Sequence, residues 1–295
     1  MQASLNPPPR TYRPWLGILF ICLASALFPV MNGLVKLLTV TYPFQEVVWA
    51  RVTSHLVLVA AIFLPRRGLA LLRARQPVSQ LVCSLTLLAS TFLFFGAVKY
   101  VGVAEAISIS FVAPLAVVFL AWPLLGERIT AMRLASVALG FAGVLVVIRP
   151  GSSVFQWASL MIVGSAVAYA VYQIFIRRVA GVDHPSTTVF YSALGSTIVM
   201  SVVVPFDWKT PDNWGDVALL CSLGVFGGLG HYCVARAMTY APANFVAPFN
   251  YTQMIGSVIV GYWLFAEVPD IYTWLGSALI VAAGLMVMWQ GKKKA

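Results

Sequence analysis

Eight polar side chains interrupt the long apolar stretches of this chain and set the chemistry open to it. Ser25, His55, Ser110, Ser165, Tyr251 and Gln253 fall near the middle of their stretches, and Asn32 and Tyr172 lie toward opposite ends at mirrored depths. Polar groups are costly in hydrocarbon, so inside a bilayer they usually face the interior of a helix bundle. At middle depth they are joined by Phe28, Phe92, Phe111, Tyr169 and Tyr232. Aromatic faces with a few amides and hydroxyls suit a solute with an apolar ring and a zwitterionic head. Rings packed on rings gain about 0.5–1.5 kcal/mol per pair beyond burial, while amides and hydroxyls replace water around the charged head. Each aromatic, taken singly, also fits plain helix packing or a lipid-facing position.

Catalysis finds no foothold. There is no His-Glu-x-x-His, no Gly-x-Ser-x-Gly, no phosphate-loop lysine motif and no Gly-x-Gly-x-x-Gly after a strand. His55, His184 and His231 lie on different stretches, and the four cysteines (Cys22, Cys83, Cys221, Cys233) have no metal-ligand spacing and read as small packing residues. The sequence therefore predicts a non-enzyme with no metal and no cofactor. Arg51 is the one strongly ionisable side chain well inside a stretch. Glu46 and Glu105 begin stretches on the same side, so the simplest expectation is a structural ion pair, with Glu105 as the partner. Gating, or holding a substrate carboxylate, is the alternative. Carboxylates are missing at middle depth, which speaks against cationic solutes and obligatory proton coupling. Deep Lys and Arg beyond Arg51 are missing too, which speaks against phosphates. A neutral or zwitterionic solute moving downhill is the reading that remains.

The elements that position these residues follow from composition. Apolar residues make up 60% of the 295 and charged residues 9%, with a mean hydropathy of +0.89. Soluble domains carry roughly 45–50% and about 25%, so the chain is predicted to be a polytopic membrane protein. A span needs roughly 20 mostly apolar residues. Ten are predicted: Trp15–Leu38, Phe44–Leu64, Val78–Val98, Val103–Leu125, Ala131–Ile148, Trp157–Ile176, Thr187–Val204, Trp214–Ala235, Ala243–Phe265 and Tyr272–Trp289. The first is too long, and its flank too proline-rich, for a cleavable signal peptide. Trp15, Trp157, Trp208, Trp214, Trp274 and Trp289 stand at predicted ends, where the indole prefers the interface; Trp49 stands inside and is a candidate for the bundle interior.

The net charge of +10 would fit nucleic acid, but the basic residues collect in short loops on one side. Lys36, Lys99, Arg149 and Lys209 fall at the other side and Arg51 within a span, leaving 14 of the 19 on the first. Basic loops mark the cytoplasmic face, which places both termini inside and makes lipid, not nucleic acid, the surrounding partner.

The chain also repeats. Ser25 and Ser165, Ala97 and Ala237, Tyr100 and Tyr240, Glu127 and Glu267 are each 140 positions apart. Five spans per half insert the second half upside down, which predicts an all-α fold of two inverted five-helix repeats, residues 1–150 and 151–295, with a solute site between them. Pro29, Pro114 and Pro248 should each free a backbone carbonyl one turn back.

The passage Ala113-Pro114, Gly126-Glu127-Arg128-Ile129-Thr130 and Gly140-Phe-Ala-Gly143, echoed by Ala266-Glu267 and Ala282-Ala-Gly284, resembles the drug/metabolite transporter superfamily, EamA-type. Overall the chain is similar to YddG-type aromatic amino-acid exporters. The resemblance implies a monomeric carrier of the bacterial inner membrane that exports aromatic and other neutral amino acids by alternating access. A nucleotide sugar, a cationic drug or another metabolite is the alternative cargo. The second copy departs from the motif, with Ala266 for Gly126 and Met254 where Pro114 would recur.

Overall fold

The computed structural model describes residues 13–113, 115–117, 119–120, 131–149, 156–179, 182–240 and 247–292. Pro114 and the first-copy Gly126-Glu127-Arg128 lie outside them. Within the described residues the chain is all-helical: α1 (Pro14–Thr41), α2 (Phe44–Arg67), α3 (Pro77–Val98), α4 (Val103–Ser110), α5 (Ala131–Ile148), α6 (Trp157–Val179), α7 (Pro185–Val203), α8 (Trp214–Tyr240), α9 (Thr252–Phe265) and α10 (Ile271–Lys292). Stretches in α1, α2, α3, α6, α7 and α8 are long and apolar enough to cross a membrane, while α4, α5 and α10 carry shorter apolar helices.

Starts and stops follow local chemistry. Pro14, Pro77 and Pro185 open α1, α3 and α7, where a missing N–H costs nothing. Asn213 Oδ1 accepts from Asp216 N at 3.0 Å and begins α8. Asp270 Oδ1 accepts from Thr273 N at 2.8 Å and begins α10. α4 has no cap of its own; Glu267 Oε2, from the α9–α10 turn, accepts from Val103 N at 3.1 Å and its other oxygen pairs with Lys36 of α1.

The fourth and ninth predicted spans are not continuous. α4 stops at Ser110, and Phe111 N reaches back to Ser108 O (3.2 Å) as well as Ile107 O (3.1 Å) before helix resumes at Ala113. The sequence supplies the cause: Pro114 has no N–H to give the Ser110 carbonyl. In the ninth segment the described residues begin with a 3₁₀ turn, Ala247–Tyr251, which becomes α-helical at Thr252. The two breaks occupy equivalent places in the chain, since Phe111 and Tyr251 are 140 positions apart. Pro29, by contrast, sits inside an unbroken α1, with Gly256 of α9 packed on its ring and on the freed Ser25 carbonyl.

Helix packing is paired. α1 lies along α8 as α6 lies along α3; α2 meets α8 as α7 meets α3; α1 meets α9 as α6 meets α4. α2 packs on α7, α4 on α9 and α5 on α10. Exchanging the first five helices with the last five maps each of these pairs onto another or onto itself. Two joints need glycine. A Cβ on Gly224 would collide with Ser54 and the His55 backbone of α2, and one on Gly143 would lie 2.8 Å from the Gly276 carbonyl oxygen of α10. Close approach of this kind is how membrane helices gain packing without a hydrophobic drive between them. Outward faces carry Leu19, Leu23, Val57, Leu81, Leu160 and Ile259, all exposed. Trp49 is half-buried at the edge of the core: its indole N–H donates to Ser201 Oγ (3.0 Å) on α7 and its ring meets Trp208 edge to face at 5.6 Å.

Candidate substrate site

α2 brings Arg51 and His55 onto one face, one turn apart, against α8. The glycines of α8 let them in: a Cβ on Gly227 would lie 3.2 Å from Arg51 Nε, and one on Gly228 would lie 2.8 Å from His55 Cδ2. Arg51 is 2% exposed and His55 1%, so both side chains are sealed in the bundle.

The guanidinium of Arg51 is held from two sides. Nη1 donates to Thr91 Oγ1 of α3 at 3.1 Å, and Nη2 donates to His231 Nε2 of α8 at 2.9 Å. Thr91 and His231 are 140 positions apart, so equivalent places in the two halves grip one cation. Arginine cannot accept, so the His231 Nε2 contact fixes the tautomer with hydrogen on Nδ1. Among the described residues, Arg51 Nε, His231 Nδ1 and His55 Nε2 are buried without a hydrogen-bond partner.

Aromatic rings enclose this polar knot. The Phe95 ring lies 5.8 Å from the guanidinium carbon, one turn beyond Thr91. Phe28 of α1 meets the His231 ring at 5.1 Å, Tyr172 of α6 meets it edge-on at 6.0 Å, and His55 stacks on it at 6.2 Å. Tyr169 leans on Tyr172 at 5.5 Å. Five helices, α1, α2, α3, α6 and α8, thus converge on one charged centre walled by rings.

Of the residues singled out in the sequence, Phe28, Tyr169, Tyr172 and Arg51 come together here, with Asn32 buried one turn beyond Phe28 on α1. Phe111 and Tyr251 form a second group, edge to face at 5.0 Å, with half-buried Gln253 two residues on. Ser25 Oγ reaches Phe249 O at 3.4 Å, beside that group. Ser165 joins α6 to α3, donating to Ser90 O at 2.7 Å. Others are spent on packing. Ser110 bonds its own helix at Ala106 O (2.9 Å), Phe92 packs on Phe44 at 4.8 Å, and Tyr232 packs on Phe63 at 5.3 Å.

The expected Arg51–Glu105 ion pair is not formed. Glu105 sits in the field of Arg149, Asp270 and Lys36, while Arg51 turns toward α3 and α8. Ion pairs among the described residues join Lys36 to Glu267, Arg149 to Asp270 and Lys209 to Asp212. His55 and His231 are brought together, which the sequence left open, but His184 caps α7 and does not join them. Thr91 was missed altogether; its only signal was its place 140 residues before a histidine.

Near the ends of the spans the electrostatics are those of helix junctions. Tyr42, hydrogen-bonded to Asp216 Oδ2 at 2.6 Å, is held above the usual phenol range by that carboxylate. Asp270 is held below the usual carboxylate range: burial opposes this, but hydrogen bonds from Thr273 and the charge of Arg149 outweigh it.

A profile of the EamA-like transporter family matches the chain twice in tandem, over residues 15–149 and 156–289. A riboflavin transporter of Vibrio cholerae is 27% identical over 286 residues, spanning 96% of each chain. The pseudopaline exporter of Pseudomonas aeruginosa is 29% identical over 90% of this chain and 94% of its own. An S-adenosylmethionine uptake transporter of Rickettsia felis is 30% identical over 70% of this chain and 72% of its own. A solved crystal structure superposes with a TM-score of 0.66 at 21% identity, over 92% of this chain and 95% of that one; at that identity the likeness concerns the fold.

Proposed function

The chain belongs to the EamA-like transporter family, and on that premise we propose that it carries a small metabolite across a bacterial inner membrane by alternating access. Two inverted five-helix halves enclose the path, both termini face the cytoplasm, and the solute sits where α1, α2, α3, α6 and α8 converge. The observation that carries this reading is the tandem family match, joined to a packing scheme that exchanges the two halves.

The cargo is better sought among other metabolites than among aromatic amino acids. The relatives are named for riboflavin, pseudopaline and S-adenosylmethionine, which replaces the expectation drawn from overall resemblance. Transport runs downhill. The acidic residues of the described helices, Glu46, Glu105 and Asp216, stand in first turns, so among the described residues the middle of the bundle has no carboxylate to load a proton on one side and release it on the other.

Reconstitution tests the reading. Purified protein in liposomes is given radiolabelled riboflavin, S-adenosylmethionine, tryptophan and choline side by side, with and without a pH gradient. Saturable uptake of at least one solute above empty liposomes, with no accumulation driven by the gradient, supports it. Uptake of none would sink it.

A further inference from the structure

We propose that Arg51, oriented by Thr91 and His231, recognises a carboxylate on the carried solute. The proposal rests on the carrier reading and names the chemistry of its cargo. Arg51 is a permanent charge sealed in the bundle with no carboxylate bonded to it among the described residues. A buried charge without a counter-charge is among the costliest features of a membrane protein, and one that persists marks a functional site. Its two side-chain partners, Thr91 and His231, are neutral hydrogen-bonding groups that orient the guanidinium without cancelling its charge.

Donor capacity remains on the Nε edge of the guanidinium. Among the described residues Arg51 Nε–H is buried without a partner. Gly227 matters here, because any larger residue would bring a Cβ to 3.2 Å from Arg51 Nε and cover that edge. One cation with planar donors matches one carboxylate, which accepts through two oxygens in a plane. A dianionic phosphate would call for further Lys or Arg at this depth, and the cluster supplies only imidazoles. The rings of Phe28, Phe95 and Tyr172 leave an apolar wall for the remainder of the solute. Arg51 and His231 are sealed from the surface, 2% and 5% exposed, so the carboxylate enters in a state with the halves opened on one side. It then supplies the counter-charge that Arg51 lacks when the path closes.

The test uses matched pairs differing by one carboxylate. Proteoliposomes of the full chain are given tryptophan against tryptamine and S-adenosylmethionine against its decarboxylated form, with riboflavin as a carboxylate-free solute. The expected result is that a carboxylate-bearing solute is carried and its decarboxylated mate is slower by about ten-fold or more. Arg51→Gln should bring the first down to the level of the second, and Arg51→Lys should retain part of the rate. If riboflavin or a decarboxylated mate is carried as fast as the carboxylate solutes, the proposal fails while the carrier reading stands. Arg51→Gln protein that elutes from gel filtration as wild type and transports undiminished has the same meaning. The matched pairs on wild-type protein decide the matter even where Arg51→Gln does not fold. Uptake of no solute by wild type removes both readings together.

Discussion

Phe111 and Tyr251 meet edge to face, ring centroids 5.0 Å apart, and they hold equivalent positions in the two halves of the chain. Each stands at a break, Phe111 where α4 stops and Tyr251 where a 3₁₀ turn gives way to α9. A related side chain thus touches its own counterpart, as residues beside a pseudo-twofold axis must. Around them Ser277 Oγ donates to Ser108 Oγ at 2.8 Å, tying α10 to α4, and the Tyr251 hydroxyl presses on Gly284. Discontinuous helices facing each other are where carriers of this build change shape.

The contact should be measurable as a coupling. Phe111→Ala, Tyr251→Ala and the double variant, compared by thermal unfolding in detergent, are expected to show an interaction of about 0.5–1.5 kcal/mol. Strict additivity would mean that the two rings do not support each other.

The glycine joints predict a contrast within one substitution type. Gly143→Ala pushes a Cβ to 2.8 Å from the Gly276 carbonyl, where both sides are backbone and neither can give; a loss of about 1–3 kcal/mol is expected. Gly164→Ala meets only Leu93 Cδ1 at 3.4 Å, an ordinary contact, and should be neutral or slightly stabilising because alanine favours helix. Equal melting temperatures for the two variants would refute the close α5–α10 approach.

Ala266 ends α9 in the left-handed region at φ 54°, where a Cβ is strained and glycine is not. Ala266→Gly should stabilise the protein by up to about 1 kcal/mol, the gain being trimmed by the entropy of a looser unfolded chain. Ala266→Val should destabilise it. The melting temperatures check both signs, and the Lys36–Glu267 pair beside it should survive the glycine change.

Acid should loosen the start of α7. His184 Nδ1 accepts from Ser186 N at 3.2 Å. Partial burial, with Arg67 and Arg236 nearby, holds the imidazole below its usual range. The unfolded chain therefore binds a proton at higher pH than the folded one, so stability is complete above about pH 6.5 and falls as pH drops below it. Protonated Nδ1 also loses the lone pair that caps the helix. His184→Asn keeps an acceptor that does not titrate, and its melting temperature should fall less between pH 7 and pH 5 than that of wild type.

How much of this was written in the sequence depends on the direction asked about. Depth in the bilayer follows from counting along an apolar run, so helix ends such as Phe44, Val98 and Trp157 were legible, as was the repeat through identities like Ser25 with Ser165. Azimuth around the helix axis is set by neighbours. Arg51 and Glu105 share a side of the membrane, yet Arg51 points to α3 and α8, and no count of residues could have said so. Thr91 and His231 share an offset but not a residue type, so the equivalence surfaced only when both bonded one guanidinium. The helix breaks were half legible: proline marked them, but the continuous apolar runs concealed that the chain stops and restarts there.

Inverted insertion of the two halves is the claim everything else depends on, and labelling from each side of the membrane tests it most directly. Arg75, just before α3, and Gly215, in the first turn of α8, are exposed and stand 140 positions apart. In protein whose four native cysteines are replaced, Arg75→Cys should react with an impermeant maleimide only from the cytoplasmic face and Gly215→Cys only from the opposite face. Labelling of both from one face would contradict the account.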